Sequence, residues 1–445
     1  MKTWTSPSSQ DSEKLLFFIL ELFHDAPYCC ALLTPLQSDE SEKISIHHTN
    51  HPIKYKTFHW LLGIGLKETD RDEEPINNQN FGFPDFNAML KRNPGFRMGY
   101  FTYEMSNLTK RSNNTKKPNA ENTSPAFWFR PSLLIKCDQN KLEFLIDQYD
   151  NFQYISHKIK RTYRGYEVKC FDLPKIKFKS TIKLNDYCKK IDEIKQNITD
   201  GNYYELNYCI ERRARMAIRK PLNYWIKMVN KSKAPFSAYL KQNTTHIMCA
   251  SPERFLRKEG NQLLSQPIKG TAKRYKNHNQ DHASFTNLTR NTKEMAEHLM
   301  IVDLVRNDLT KCSGSVSTKV LELAKTCSFN TIHQLISSVQ TELEPNHSIT
   351  DILESCFPMG SMTGTPKQTV CNRIPILENQ ERGIFSGALG YFDSNLNFDL
   401  NVVIRTIIYD QTTNLLSLKT GGAITIDSNP EKEWKECILK CQSIS

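Results

Sequence analysis

The sequence predicts an α+β fold built on antiparallel sheet. Short runs rich in β-branched and aromatic residues, bounded by turn residues, read as strands. Helical segments stand apart from those runs and do not alternate with them in a strand–helix–strand rhythm. No Gly-x-Gly-x-x-Gly string occurs, so nothing marks a doubly wound nucleotide-binding sheet.

The elements follow in chain order. LLFFILELF from Leu15 reads as an amphipathic helix of the fold. Glu13 and Glu21 bracket or interrupt it, it is too short to span a bilayer, and it lacks a cleavage pattern. Asn-rich polar stretches at 67–80 and 106–125 read as loops, and KRYKNHNQDHASFTNLTRNT (273–292) as a third. FWFRPSLLIKC (127–137), HIMCASPERFL (246–256) and LNVVIRTIIYD (400–410) read as strands. DYCKKIDEIKQNITDG (186–201) has helical apolar spacing and stops at Gly201, and NTKEMAEHLMIVDLVRNDL (291–309) is a long amphipathic helix. The last helix is SNPEKEWKECILKC (428–441). Ser428 and Glu431 form a capping-box pattern there, with Pro430 in the first turn.

A chain of 445 residues holds one large domain or two to three ordinary ones. The formal charge of +11 is spread over basic runs near 157, 211 and 269, so it reads as a lysine-rich solvated surface and not as a nucleic-acid arm. Thirteen scattered cysteines without a C-x-x-C pair read as reduced packing thiols. The expectation is a soluble, cytoplasmic protein with no nucleic-acid or membrane partner.

Several residues could carry chemistry. Glu294 and Glu297 share one helix face; Glu433 and Glu436 repeat the spacing on the last helix, followed a turn later by Lys440. Two such helices facing each other make an oxygen-rich site suited to Mg²⁺; taken singly, each pair is a charged helix face. PMGSMTGTPK (358–367) is not a phosphate loop, because Gly364 is followed by Thr-Pro-Lys. It reads as a tight loop entering a helix, able to turn backbone N–H groups to an anion. TGGAI (420–424) lets backbone approach a ligand. Arg405, between apolar strand neighbours, either snorkels to an edge or meets a carboxylate. Lys269, in SQPIKGTAKR, is either a surface charge or an amine held against something that needs it.

The strings PIKGTAKR, EMAEHLMIVDLVRNDL, SCFPMGSMTGTPK, RGIFSGALGYFD, VVIRT and GGAITIDSNPEKEWKE, in that order, resemble the chorismate-utilising enzyme family. That family includes component I of anthranilate synthase and of aminodeoxychorismate synthase, isochorismate synthase and salicylate synthase. The resemblance runs from about 180 to 442, with a weaker likeness back to about 97 in GYFTYEM and FWFRPSLLI. It implies large antiparallel sheets in a sandwich flanked by helices, with an N-terminal portion at 1–178 and a chorismate-binding catalytic core at 179–445.

Lysine in Pro-Ile-x-Gly-Thr is characteristic of the aminodeoxychorismate synthase branch, whereas anthranilate synthases have alanine. The resemblance therefore implies a Mg²⁺-dependent enzyme that converts chorismate and ammonia to 4-amino-4-deoxychorismate for p-aminobenzoate and folate. Lys269 would add to the second ring carbon as the hydroxyl on the fourth leaves, and Glu253 would be the general acid. Glu297 and Glu436 would bind Mg²⁺ directly, with Glu294 and Glu433 acting through water. Arg405 and the Gly421 backbone would hold the enolpyruvyl carboxylate; Gly270, Thr271, His333 and Lys440 would line the ring-carboxylate end. To serve these roles, burial must lower the pKa of Lys269 and raise that of Glu253. No amidotransferase Cys-His-Glu region is present, so ammonia would be free or come from a separate glutamine amidotransferase subunit.

The sequence departs from the family at Glu205, where isochorismate and salicylate synthases place a lysine base and this branch commonly has glutamine. The glutamate argues against water as nucleophile. Phe385 replaces a frequent tyrosine and Thr365 an alanine, and without an LLES element no tryptophan-feedback site is expected. The alternatives are anthranilate synthase component I, or a non-catalytic or nucleic-acid-binding protein retaining the fold.

Overall fold

The structure, a computed structural model, describes residues 2–5, 9–33, 58–65, 81–106, 124–138, 141–146, 173–312, 314–329 and 332–444. The expected loop at 67–80 and nearly all of that at 106–125 lie outside the described residues.

Among the described residues, two wholly antiparallel sheets, of twelve and nine strands, form the α+β sandwich that the sequence predicts. The helices are α1 (Ser9–Leu22), α2 (Phe83–Arg92), α3 (Leu184–Thr199), α4 (Pro221–Ser232), α5 (His278–Arg290), α6 (Thr292–Lys311), α7 (Ile349–Cys356), α8 (Lys367–Glu378) and α9 (Pro430–Ile444). Alternation along each strand sorts side chains to two faces. Cys30, Leu32, Met98, Tyr100 and Leu389 pack between the sheets. The outer face of the twelve-stranded sheet is covered by α1 and α4 through residues such as Leu16 and Trp225. The outer face of the other is covered by α2, α6 and α7 through Phe86, Val305 and Ile352. Strands from 1–178 enter both sheets: Tyr28–Leu33 pairs with Phe236–Gln242, and Arg97–Phe101 with Ala388–Phe392.

The three segments expected as continuous strands are each broken, and each crosses from one sheet to the other. The first splits into Ala126–Phe129 and Leu133–Asp138 around Pro131. The second splits into Thr245–Ser251 and Arg254–Glu259 around Pro252 and Glu253. The third splits into Phe398–Val402 and Thr406–Asp410, where Arg405 has the left-handed φ of 51°. Proline has no N–H to give a ladder, so two of the crossings fall where a sheet must end anyway.

Three other expectations are corrected. The polar stretch 273–292 is mostly helix, because the Asn277 side chain caps α5 by accepting from the Gln280 N–H, while Asp281 and Leu288 are buried beneath it. In α9 the cap is Asn429, which accepts from the Lys432 N–H; the Ser428 hydroxyl instead accepts from the Thr425 N–H. Finally, α1 is no two-faced surface helix. Leu15 to Leu20 are all buried, each contributing about 1.5–3 kcal/mol on transfer from water. No helix among the described residues is long and apolar enough to cross a membrane. The described cysteines are free thiols, nearly all buried, and burial pushes that of Cys29 up to about 12.

Candidate active site

One end of each sheet approaches the other, and Lys269 and Glu205 meet there. Ile268–Lys273 is the last strand of the nine-stranded sheet and pairs with Ile332–Leu343. Its register slips between Lys269 and Thr271, where Gly270 bulges with φ 71°, a conformation that glycine adopts without steric cost. Facing it, Glu205 opens the strand Glu205–Arg215 of the other sheet, directly opposite Thr365. The Lys269 Nζ donates to Glu205 Oε1 at 3.0 Å, and the Glu205 side chain is 1% exposed. Glu205 Oε2 and Thr365 Oγ1 are buried without a hydrogen-bond partner among the described residues.

This pairing overturns the expected direction for the lysine. Burial alone would lower its pKa, but the charge and hydrogen bond of Glu205, with the charges of Glu297 and Glu253, reverse that and hold the amine above its ordinary value. The resting amine is therefore an ammonium.

Glu253 lies at the second strand crossing, buried, and burial pushes its carboxyl up to about 7. The Ser361 hydroxyl, the Lys269 charge and the Ile268 backbone pull the other way without cancelling the effect. A cavity of about 20 Å³, lined by Glu253, Ser361, Gly360, Pro267 and Asp308, has room for one water beside it. Arg405 occupies the third crossing. Its carbonyl accepts from the Ala250 N–H at 3.1 Å, and burial lowers its guanidinium with no charge among the described residues offsetting the shift. It is not an in-strand side chain, as the sequence had implied, but a kink residue.

Carboxylates approach from two helices. Asn291 caps α6 through the N–H groups of Lys293 and Glu294. A Cβ on Gly270 would sit 3.2 Å from Glu294 Oε2, and one on Gly422 would sit 3.3 Å from Glu433 Oε2. Burial raises Glu297, opposed by Lys269 and reinforced by Glu205 and Glu294. Burial likewise raises Glu433. Lysines stand among these groups: Lys293 is 3.8 Å from Glu297 and its charge also reaches Glu433, while Lys440 is 2.7 Å from Glu436. Among the described residues no three His, Cys, Asp or Glu side chains converge as a metal cluster.

Lys440 also donates to the Gly421 carbonyl at 2.8 Å. Gly421 must be glycine, since a Cβ there would run into the Tyr208 carbonyl and the Cys209 sulfur. Thr271 lines an open pocket of about 460 Å³ with Gln280, Ser284, Asn287, Asn291 and Glu294. His333 stands apart from the other candidates: its Nδ1 meets Ser328 Oγ at 2.8 Å and its Nε2 meets Asp281 Oδ1 at 3.2 Å, so both ring nitrogens are engaged. Lys367 of the Gly-rich loop bonds Asp308 and the Cys356 carbonyl, and Gly364 pairs with Leu206, so much of that loop's polarity is used structurally. Phe385 is buried in the core beside α6 and α7.

Sequence reasoning missed Ser361, which lines the small cavity beside Glu253, and His298. The latter is buried one residue past Glu297, bonds Ser337 Oγ at 2.6 Å, and is pushed by burial and the Lys269 charge to about 4. Both lie inside quoted strings, yet nothing in their spacing tells which way they point.

Residues 48–445 match the family described as chorismate binding enzyme. The chain belongs to that family. Among similar members, the probable chloroplastic aminodeoxychorismate synthase of Oryza sativa subsp. japonica is 36% identical over 262 residues, 58% of this chain and 29% of that protein. Aminodeoxychorismate synthase component 1 of Bacillus subtilis (strain 168) is 34% identical over 254 residues, 57% of this chain and 53% of that one. The chain thus spans about half or less of the length of these relatives. The crystal structure of anthranilate synthase component I from Streptococcus pneumoniae TIGR4 superposes with a TM-score of 0.70 at 23% identity, covering 79% of this chain and 80% of that chain; this likeness concerns the fold. Membership makes chorismate chemistry the frame for the seam between the sheets.

Proposed function

We propose that the chain is component I of an aminodeoxychorismate synthase, converting chorismate and ammonia to 4-amino-4-deoxychorismate for p-aminobenzoate and folate. The observation that carries this reading is the buried Lys269 amine in a site whose acid, Glu253, holds its proton to about pH 7. The names of the relatives support the same branch.

Once neutral, the Lys269 amine adds to the second ring carbon of chorismate. The bond from the fourth carbon to its hydroxyl breaks, Glu253 protonates that oxygen, and water leaves. Ammonia then bonds to the fourth carbon as the C–N bond to Lys269 breaks, its electron pair returning to the amine. The new ammonium on the product gives one proton back to Glu253. Arg405, a half-buried guanidinium with no offsetting charge among the described residues, is suited to the enolpyruvyl carboxylate beside Gly421. Gly270, Thr271 and Lys440 are suited to the ring-carboxylate end. With its ring nitrogens taken by Ser328 and Asp281, His333 supports that end by fixing α5 against the strand.

The carboxylates of Glu294, Glu297, Glu433 and Glu436, approaching from two helices, are oxygen donors of the kind that suits Mg²⁺, and burial raises Glu297 and Glu433 even with lysines nearby. Glu297 and Glu436 would hold the ion directly, in place of their lysine partners, and Glu294 and Glu433 through water. A bound ion supplies positive charge to the ring carboxylate. Ammonia would come from a separate glutamine amidotransferase subunit; the name component 1 borne by the Bacillus relative fits such a division.

The test is one incubation of the chain with chorismate, ammonium and Mg²⁺ at mildly alkaline pH, with products identified by mass. The expected product is aminodeoxychorismate without pyruvate, lost in Lys269→Ala. Anthranilate with pyruvate would assign the anthranilate synthase reaction instead, and unconsumed chorismate would leave a non-catalytic member of the family.

A further inference from the structure

We propose that Glu205 is the base that frees Lys269 for attack, the two residues sharing a single proton through the reaction. The inference rests on the reading above, in which the Lys269 amine is the nucleophile, and it adds the residue that receives the amine's proton. The amine has to lose that proton before it can attack, since an ammonium has no lone pair.

Geometry leaves one acceptor. Lys269 faces Glu205 from the strand Glu205–Arg215, Glu253 from the strand crossing, and Glu297 and His298 from α6. Of these, Glu205 hydrogen-bonds the amine, at 3.0 Å, a distance over which a proton transfers without rearrangement. Glu253 needs its own proton for the departing hydroxyl. Glu297 lies against Lys293. The His298 Nε2 is bonded to Ser337, and although Nδ1 has no partner among the described residues, burial pushes the ring down to about 4 and no hydrogen bond joins it to the amine there. Glu205 is also almost wholly out of bulk solvent, with Oε2 unpartnered among the described residues, so the carboxylate has spare acceptor capacity.

The step balances. An Nζ–H bond breaks and an Oε1–H bond forms; the freed lone pair makes the bond to the second ring carbon; Glu253's proton leaves with the hydroxyl as water. When ammonia expels Lys269, the amine departs neutral and takes its proton back from Glu205, restoring the ion pair. Lys269 and Glu205 together carry the same net charge before and after transfer. The transferred fraction is therefore independent of external pH between the pair's two macroscopic pKa values. A lone amine in the same place must instead titrate against solvent.

The experiment compares amination by Glu205→Gln and wild type from pH 6 to pH 8, each with saturating chorismate, Mg²⁺ and ammonium. The ratio of variant to wild type cancels the titration of Glu253 and of ammonia. It is expected to rise with pH, approaching about tenfold per pH unit at the acid end. Glu205→Asp retains a carboxylate, so its ratio to wild type is expected to stay level with pH, which also guards against a simple folding defect in the first variant. A level ratio for Glu205→Gln, or a rising one for Glu205→Asp, overturns the role of Glu205 while leaving the amination reading intact. A wild-type chain that does not aminate chorismate overturns both.

Discussion

Glu253 and Lys269 bias each other's protonation across the seam between the two sheets. The lysine charge draws the Glu253 carboxyl down and the glutamate draws the lysine up, yet burial dominates at Glu253 and leaves it at about 7. A general acid works in its protonated form, so amination by the wild type should fall as pH rises through about 7. Glu253→Gln cannot donate a proton and should lose about 10²- to 10⁴-fold in kcat. Its residual activity should lack the alkaline fall attributable to that carboxyl. A variant with the wild-type rate and profile would remove Glu253 from the chemistry.

The same carboxyl has a consequence for folding. Its folded pKa lies above the ordinary value of 4.5, so its protonated form is favoured by the fold. The stabilisation is fully present below about pH 4.5 and is lost as pH rises through about 7. Glu253→Gln carries no charge to bury, so it should be more stable than wild type at pH 8, by about 3 kcal/mol at most. The difference should close near pH 4. Urea denaturation at the two pH values measures it.

Candidate residues were legible in the sequence and their geometry was not. Lys269 and Arg405 stand out as charges within turn or apolar strings, whereas Glu253 is singled out only by the family resemblance. The strands bearing Glu253 and Arg405 nonetheless looked continuous. A crossing between sheets depends on which strands lie alongside, as when Ser251 pairs with Phe236 and Arg254, three residues later, pairs with Asn401. α5 was hidden for a related reason: its Asn, Thr and His content favours turns, and its anchoring contacts, Arg274 to Asp281 and Asp281 to His333, come from outside the helix. The direction of the Lys269 shift was misjudged because its deciding partner, Glu205, lies 64 residues away. Spacing along a chain carries no information about a carboxylate arriving from the other sheet.

Arg382 tests the support beneath Glu205. It is buried, bonds Glu378 through Nη2 at 2.7 Å, and donates to the carbonyls of Met362 and Asn207 while lying over the Tyr103 ring. Those carbonyls belong to the Gly-rich loop and to the strand that starts at Glu205. Arg382→Met leaves Glu378 as an uncompensated buried charge and should lower unfolding free energy by about 3–5 kcal/mol. Chemical denaturation measures the loss, and a change of less than about 1 kcal/mol would show that the network is dispensable. Pairing it with Glu378→Leu should recover part of the loss, because the double variant buries no lone charge.

Metal dependence is the sharpest check on the four glutamates. Among the described residues, apolar clusters of other side chains join both sheets to each other and to their helical covers. Chelation should therefore abolish chorismate consumption while leaving the thermal unfolding temperature nearly unchanged, and added Mg²⁺ should restore the activity. Glu294→Gln and Glu433→Gln, proposed to act through water, should each weaken Mg²⁺ binding by about 10- to 100-fold. Replacing Glu297 or Glu436 by Gln should weaken it further, since a direct carboxylate ligand and its charge are removed. Calorimetric titration with Mg²⁺ reads these changes without relying on turnover. Lys440→Met offers a contrast of opposite sign: it releases Glu436 from its 2.7 Å partner, so Mg²⁺ should bind more tightly even as the ring-carboxylate end loses a cation. Unaltered affinity in Glu297→Gln and Glu436→Gln alike would mean that the ion, if it binds, does so elsewhere on the chain.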